Sequence, residues 1–451
     1  MLAAIGPDEF ANLMVPLGPF EPAPRLAAAV SGGADSLALA VLAAPWALAR
    51  GGSLLALVVD HGLRRDSAAE AVLTIDRLAT LGVPARLLPL TGLVPGPALA
   101  ARARAERYAA LAAACAAAGI VHLLLGHHAA DQAETLLMRR QGHSGPTGLA
   151  AMPSISEQYG LRLLRPLLPV PPVRLRATLC MVGLGWVNDP SNRDQRALRS
   201  RLRAMLNDPD GIGPETSALC QAARAAGSAR AAQEAAIAAV LAAQAVIRPE
   251  GFALLSSGLS SGPSSGGIDP AALAALIQTI AGAPYPPPTQ AVAALAATPR
   301  PATLAGVRLL SAGRLGEGQL PTGAVGAGLL LVREAAAMAP PVAAQPGATW
   351  DGRFRLARHA TPLPETTIGA LGADAARLRR HSPLPAAVLH ALPALRRGNC
   401  LVAVPHLLYP DADTCAAVTL TFSPRRPAAG APFAPPGELA APGVAGRGNV
   451  R

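Results

Sequence analysis

Six consecutive residues, Ser31-Gly32-Gly33-Ala34-Asp35-Ser36, stand between an apolar run at 25–30 and a helix-like run at 37–48. A strand that ends in a small-residue turn and re-enters the chain as a helix makes an anion site. The N–H groups of the first helical turn lack intrahelical partners, and the helix dipole adds partial positive charge there. Two adjacent glycines let the backbone approach a phosphate closely, and the Ser31 and Ser36 hydroxyls can donate to it. Asp35 is the exception, because a carboxylate beside a phosphate needs a metal ion or a reacting group between them. An ordinary Gly-rich turn with a serine cap is the plainer reading of so short a stretch. The strand–loop–helix context on both sides favours a nucleotide site. A Walker A loop needs a Lys, and the chain contains none. The G-x-G-x-x-G spacing is absent at this turn, which leaves a pyrophosphatase-type SGGxDS loop.

Three further clusters carry polar chemistry. His61 and Arg64, in VDHGLR (59–64), follow a second apolar run and could face a nucleotide base or ribose. A strand-end turn with a solvated Arg would look the same. In GHHAADQAET (126–135), Asp131 and Glu134 are three residues apart and share one helix face. Two such carboxylates can bind an ammonium group or hold Mg²⁺, or they can simply complement the helix dipole. The adjacent histidines suggest zinc, but no third ligand has a convincing spacing. In the third cluster, Asp189-Pro190-Ser191-Asn192 is a rigid bend, followed by Arg193, Arg196, Arg199, Arg201 and Arg203. Those arginines would form a basic helical surface suited to an RNA backbone. Arg104, in ARAERY (103–108), is an upstream companion.

The elements needed to position these groups are legible. Strands are expected at 54–59, 84–90 and 121–125, with helices at 66–81 (capped by Asp66), 97–118 (stopped by Gly119) and 130–140. This alternation implies an α/β fold with a doubly wound parallel sheet, Rossmann-like, whose ligands bind beyond the carboxyl ends of the strands. All the polar clusters fall at those ends. The expected organisation is a catalytic domain at 20–206 and a helical region at 207–300 containing a Ser/Gly linker at 256–267. A small α+β region at 301–423 and a disordered Pro/Gly/Ala tail at 424–451 would complete the chain.

Composition narrows the partners. The 451 residues carry a formal charge of +11, and all 39 basic residues are Arg. A pI near 10.7 suits a polyanion such as RNA, because guanidinium forks grip phosphate bidentately. Aromatics at 3% argue against extensive base-stacking platforms. Five scattered cysteines with no C-x-x-C pair fit a reducing cytosol rather than a zinc ribbon or a disulfide framework. The first residues do not resemble a signal peptide, and no apolar stretch suits a membrane span. A cytoplasmic protein is expected, with a homodimer as the assembly considered.

The ordered set SGGADS, VDHGLR, ARAERY, GHHAADQAET, RPLL (165–168) and DPSNRD followed by RSRLR resembles the tRNA(Ile)-lysidine synthetase family of N-type ATP pyrophosphatases, or PP-loop proteins. The likeness covers roughly residues 20–206. It implies a ligase that adenylates C2 of the wobble cytidine in a CAU-anticodon isoleucine tRNA. Pyrophosphate then leaves, and the amine of free L-lysine displaces AMP to give lysidine. In that scheme residues 31–36 hold the phosphates of ATP, with Asp35 toward Mg²⁺. Asp131 and Glu134 receive or deprotonate the lysine amine, and Arg104 stabilises developing negative charge. Departures are Ala130, where many relatives carry Asp or Asn, and Ala100, where relatives often carry Glu. A tRNA thiolase of the same superfamily and a non-catalytic ATP-binding RNA chaperone are the competing readings.

Overall fold

The structure, a computed structural model, describes residues 3–62, 66–90, 96, 98–158, 160–187, 198–256, 268–311, 328–357, 363–416 and 418–437. The chain forms two compact units, Met1–Ala232 with Pro432–Arg451, and Gln233–Ala431.

The first unit opens with helix α1 (Pro7–Met14) and then alternates strand and helix: β1 (Arg25–Val30), α2 (Ala34–Leu48), β2 (Ser53–Asp60), α3 (Ser67–Thr80), β3 (Ala85–Pro89), α4 (Leu99–Ala117), β4 (His122–Leu125) and α5 (Ala129–Gln141). Next come α6 (Pro146–Leu149), a hairpin of β5 (Ile155–Gln158) and β6 (Leu161–Leu164), and the helices α7 (Pro172–Met181), α8 (Leu198–Leu206) and α9 (Pro214–Gln244). The strands form one sheet in the order β3-β2-β1-β4-β6-β5. All neighbours are parallel except the edge pair β5–β6, so the expected parallel sheet is mixed at one edge.

The apolar runs follow from burial on both faces. Leu26, Ala28, Ala56 and Leu124 pack with α2 in one core, whereas Ala27, Leu57 and Leu123 pack with Leu111 and Cys115 of α4 in another. The period-2 alternation of a strand thus serves two layers of helices. Each fully buried leucine contributes roughly 2 kcal/mol through removal of apolar surface from water. The chain reverses direction across the sheet between β1 and β4. The crevice at that switch point is where such sheets hold ligands, and the loops after both strands meet there.

The second unit is built around antiparallel sheets. After α9 the chain forms β7 (Ala245–Arg248), β8 (Phe252–Leu255), α10 (Pro270–Ala281), α11 (Thr289–Ala297), β9 (Ala302–Leu304), β10 (Val307–Ser311) and β11 (Leu329–Arg333). These strands make a five-stranded sheet, β7-β8-β11-β10-β9, whose core is completed by α10 and α11. Asp269 caps α10 by accepting the Ala272 N–H at 2.7 Å.

Several expectations are revised. Residues 245–248 were expected to extend the helix, but they form β7, because Val246 and Ile247 gain a ladder with β8. Asp66 occupies the N-cap of α3 without a side-chain cap bond. The two compact units part within α9, at 232/233. Residues 432–437 return to the first unit, where Phe433 is buried and Ser154 donates its N–H to the Ala434 carbonyl at 2.8 Å. That part of the tail is anchored because an apolar ring and an otherwise unpaired backbone group both find partners. Linker positions 257–267 and tail positions 438–451 lie outside the described residues.

Gly32 has φ +81°, and a Cβ there would overlap Thr74 Oγ1 on α3. The fully buried Thr74 hydroxyl is itself tied to the Glu70 carbonyl at 2.7 Å. Gly32→Ala is therefore expected to destabilise the first unit by about 1–3 kcal/mol in urea unfolding. Adding Thr74→Ala should recover part of the loss, leaving the strain of the positive φ.

Candidate active site

The loop after β1 is braced from within. The Ser36 hydroxyl accepts the Ser31 N–H and donates to the Gly33 carbonyl, both at 3.1 Å. Ser36 is buried and its hydroxyl is used inside the loop, where the exposed Ser31 hydroxyl also meets it at 3.2 Å. Helix α2 starts on Gly33 with no side-chain cap, and the first intrahelical bond runs from Leu37 N–H to Gly33 O at 3.1 Å. The N–H groups of Ala34, Asp35 and Ser36 thus have no acceptor within the helix and carry the positive end of its dipole. Free N–H groups at a helix start are the geometry that anion binding by residues 31–36 requires.

The cradle edges a cavity of about 190 Å³. Leu57, Val59 and Leu111 form an apolar wall suited to a base, while the loop suits phosphates. His61 stands in the same wall, and Arg107 and Tyr108 of α4 line it as well. Arg64 lies outside the described residues, as do Asp189, Pro190, Ser191, Asn192, Arg193 and Arg196. Gly126 closes β4 so tightly against the loop that a Cβ would stand 3.1 Å from the Asp35 carbonyl. The small residue lets the two strand ends meet.

The two residues after Gly126 differ in electrostatic role. His127 lines the cavity, and burial pushes it down to about 4 despite the opposing charge of Asp131, so it is neutral. His128 is buried at the start of α5, with Nε2 3.5 Å from Asp35 Oδ2 and 3.6 Å from Asp131 Oδ2. Burial disfavours its charge, but Asp131 and then Asp35 outweigh burial and raise it to about 9. It is an imidazolium at neutral pH, joining the nucleotide loop to the carboxylate helix. Asp131 also accepts the His128 N–H at 3.0 Å. Although burial opposes ionisation, His128 first and then His127 hold Asp131 below the usual carboxylate range.

Asp131 and Glu134 share one face of α5, as their spacing predicts. Glu134 is only 1% exposed and accepts from Arg203 Nε at 2.8 Å, while Arg203 Nη2 lies 3.9 Å from Asp131 Oδ1. Arg203, still 44% exposed, therefore pairs with the carboxylates. A guanidinium already sits where two carboxylates attract a cation. Burial raises the Glu134 carboxyl in spite of Arg203, and its second oxygen, Oε2, is buried without a hydrogen-bond partner. Arg104 is exposed and does not line the cavity, but its Nη2 lies 3.4 Å from the Tyr108 hydroxyl.

Among the described residues no three His, Cys, Asp or Glu side chains gather as a metal site, for zinc or any other ion. Asp35, 37% exposed beside the cradle, fits Mg²⁺ only as an ion shared with nucleotide phosphates. From the sequence Arg203 was assigned to an RNA-facing surface and His128 was weighed only as a zinc ligand, while Arg107 and Tyr108 stood in the ARAERY stretch without roles of their own.

A parallel sheet with an anion cradle at its switch point, a base-sized cavity and a carboxylate helix beside it define a PP-loop nucleotide-binding domain, and residues 7–209 match that domain family. Over 413 residues the chain is 35% identical to tRNA(Ile)-lysidine synthase of Ruegeria pomeroyi, covering 90% of this chain and 94% of that protein. The chain belongs to the tRNA(Ile)-lysidine synthase family. The Bradyrhizobium diazoefficiens protein of that name is 47% identical over 215 residues, and the Rhodopseudomonas palustris one 45% over 214. These two matches each cover 47% of this chain but only 59% and 62% of the relatives' lengths.

Because His128 is raised from 6.5 to about 9, its stabilising contribution is complete below pH 6.5 and lost as pH rises through about 9. Unfolding free energy should therefore fall across pH 7–10 by at most about 3 kcal/mol from this group. His128→Asn is expected to flatten that slope in denaturant titrations at successive pH values. An unchanged slope would show that the bridge carries no charge.

Proposed function

We propose that the chain ligates free lysine to C2 of the wobble cytidine of the CAU-anticodon isoleucine tRNA in two half-reactions, the first of which consumes ATP. The cytidine O2 attacks the α-phosphorus of ATP, forming a C2–O–AMP linkage and expelling pyrophosphate. The lysine amine then attacks C2, the C–O bond breaks, AMP leaves, and the amine gives up its proton.

One observation carries this reading: an anion cradle and a buried carboxylate pair lie on adjoining helices, linked through His128. The first suits a triphosphate and the second an alkylammonium. Near-identical length and 35% identity to the Ruegeria pomeroyi protein support the same assignment. Residues 31–36 would bind the phosphates, and Mg²⁺ held by Asp35 would neutralise charge on the departing pyrophosphate. His61, in the cavity wall, would contact the nucleoside, with Arg64 expected beside it. Asp131 and Glu134 would take the substrate ammonium in place of Arg203, with the orphaned Glu134 oxygen as proton acceptor. Arg104 would add positive charge from the cavity rim. Placement and charge stabilisation supply most of the rate in such a site.

Thiolase chemistry is less well supported. The Cys220 thiol, which donates to the Ala129 carbonyl at the start of α5, is pushed up to about 11 by burial, the reverse of an activated nucleophile. The cytosol remains the expected compartment: all five cysteines are free, and no described helix is long and apolar enough to cross a membrane.

With ATP, Mg²⁺, radiolabelled lysine and this tRNA, label is expected in the RNA together with AMP. Sulfur transfer from a donor, without lysine incorporation, overturns the proposal. Asp35→Asn should retain tRNA binding while lysine-dependent AMP release falls by about 100-fold or more. An RNA chaperone would release no AMP even as wild type.

A further inference from the structure

Two arginines approach a single phenol at the wall of the cavity, and a third, Arg165, is electrostatically coupled to it. Arg104 and Tyr108 are four residues apart on α4, and the Arg104 guanidinium lies 5.0 Å from the ring centroid. Arg107 approaches the same ring at 5.5 Å. Arg165 is buried, and burial, with the repulsion of Arg104, pulls its guanidinium below the usual arginine range against the opposing effect of Tyr108. Its Nη1 is tied to the Pro153 carbonyl and the Ser156 hydroxyl, both at 2.9 Å, while its buried Nε has no hydrogen-bond partner. Arg199 of α8 adds repulsion on Arg107 from outside.

Among the described residues no carboxylate pairs with Arg104, Arg107 or Arg165. Like charges held together without a counter-ion are costly, so an array of this kind is matched to an anion that arrives with the ligand. Arg107 and Tyr108 line the cavity, whereas Arg104 is exposed. The array therefore runs from the cavity wall outward, as the approach of an RNA strand requires, while the nucleotide phosphates already have the cradle of residues 31–36.

We propose that Tyr108 is a positioning residue whose ring and hydroxyl hold Arg104 and Arg107 as one receptor for a phosphodiester of the RNA strand entering the site. The ring supplies cation–π contacts to two guanidiniums, and the hydroxyl supplies a polar anchor. This rests on the ligase reading for the identity of the RNA, but not for the array itself.

The test is RNA binding by the full chain, which does not require turnover. Tyr108→Leu removes both ring and hydroxyl, and Tyr108→Phe keeps the ring. With the CAU isoleucine tRNA as probe, Tyr108→Leu is expected to weaken binding about 10-fold or more and to make the salt dependence shallower, as lost phosphate contacts require. Tyr108→Phe should recover most of the affinity. Wild-type RNA affinity and salt slope in Tyr108→Leu overturn the proposal. So does a loss confined to ATP, which would assign the array to nucleotide phosphates. If Tyr108→Leu fails to fold, Arg107→Gln is substituted and read in the same way. Failure of lysine incorporation with this RNA-binding pattern intact would remove the ligase reading and leave the array standing.

Discussion

The site depends on one buried cation. His128 lies between Asp35, in the first turn of α2, and Asp131, in the first turn of α5. Two carboxylates near two helix N-termini are each favoured by the local dipole, but they repel one another. An imidazolium between them converts that repulsion into a link, and it sets the distance from the phosphate cradle to the carboxylate pair. Gly126 makes the link geometrically attainable, because any side chain there would push β4 away from the Asp35 backbone.

Charge is then graded along α5. Asp131 is held ionised chiefly by His128, whereas Glu134, deeper and paired to Arg203, is raised by burial. Two carboxyl groups one turn apart thus differ in proton affinity, the arrangement expected where one anchors a cation and the other exchanges a proton. Arg203 offsets the cost of burying Glu134 while the pair has no other cation nearby.

Much of the first unit was legible because its signals are local. Apolar runs ending in Asp60 and Gly126, the Gly119 stop of α4 and the SGGADS turn each follow from the preferences of a few neighbouring residues. The mixed sheet edge, strand β7 and the return of Phe433 were not legible. The first two are hairpins, β5 with β6 and β7 with β8, that gain their places from strands distant in sequence, β4 beside β6 and β11 beside β8, and the tail is held by the first unit's Ser154.

The site divides along the same line. By itself the sequence determined the anion cradle, since two glycines, a serine and a helix start suffice for it, and it determined the shared face of Asp131 and Glu134 through helical spacing. Tertiary structure alone decided that His128 would be charged, that Ser36 would brace the loop and that Arg203 would pair with the carboxylates. Periodicity places side chains on faces of their own element, whereas ionisation and pairing depend on what other elements bring within a few ångströms.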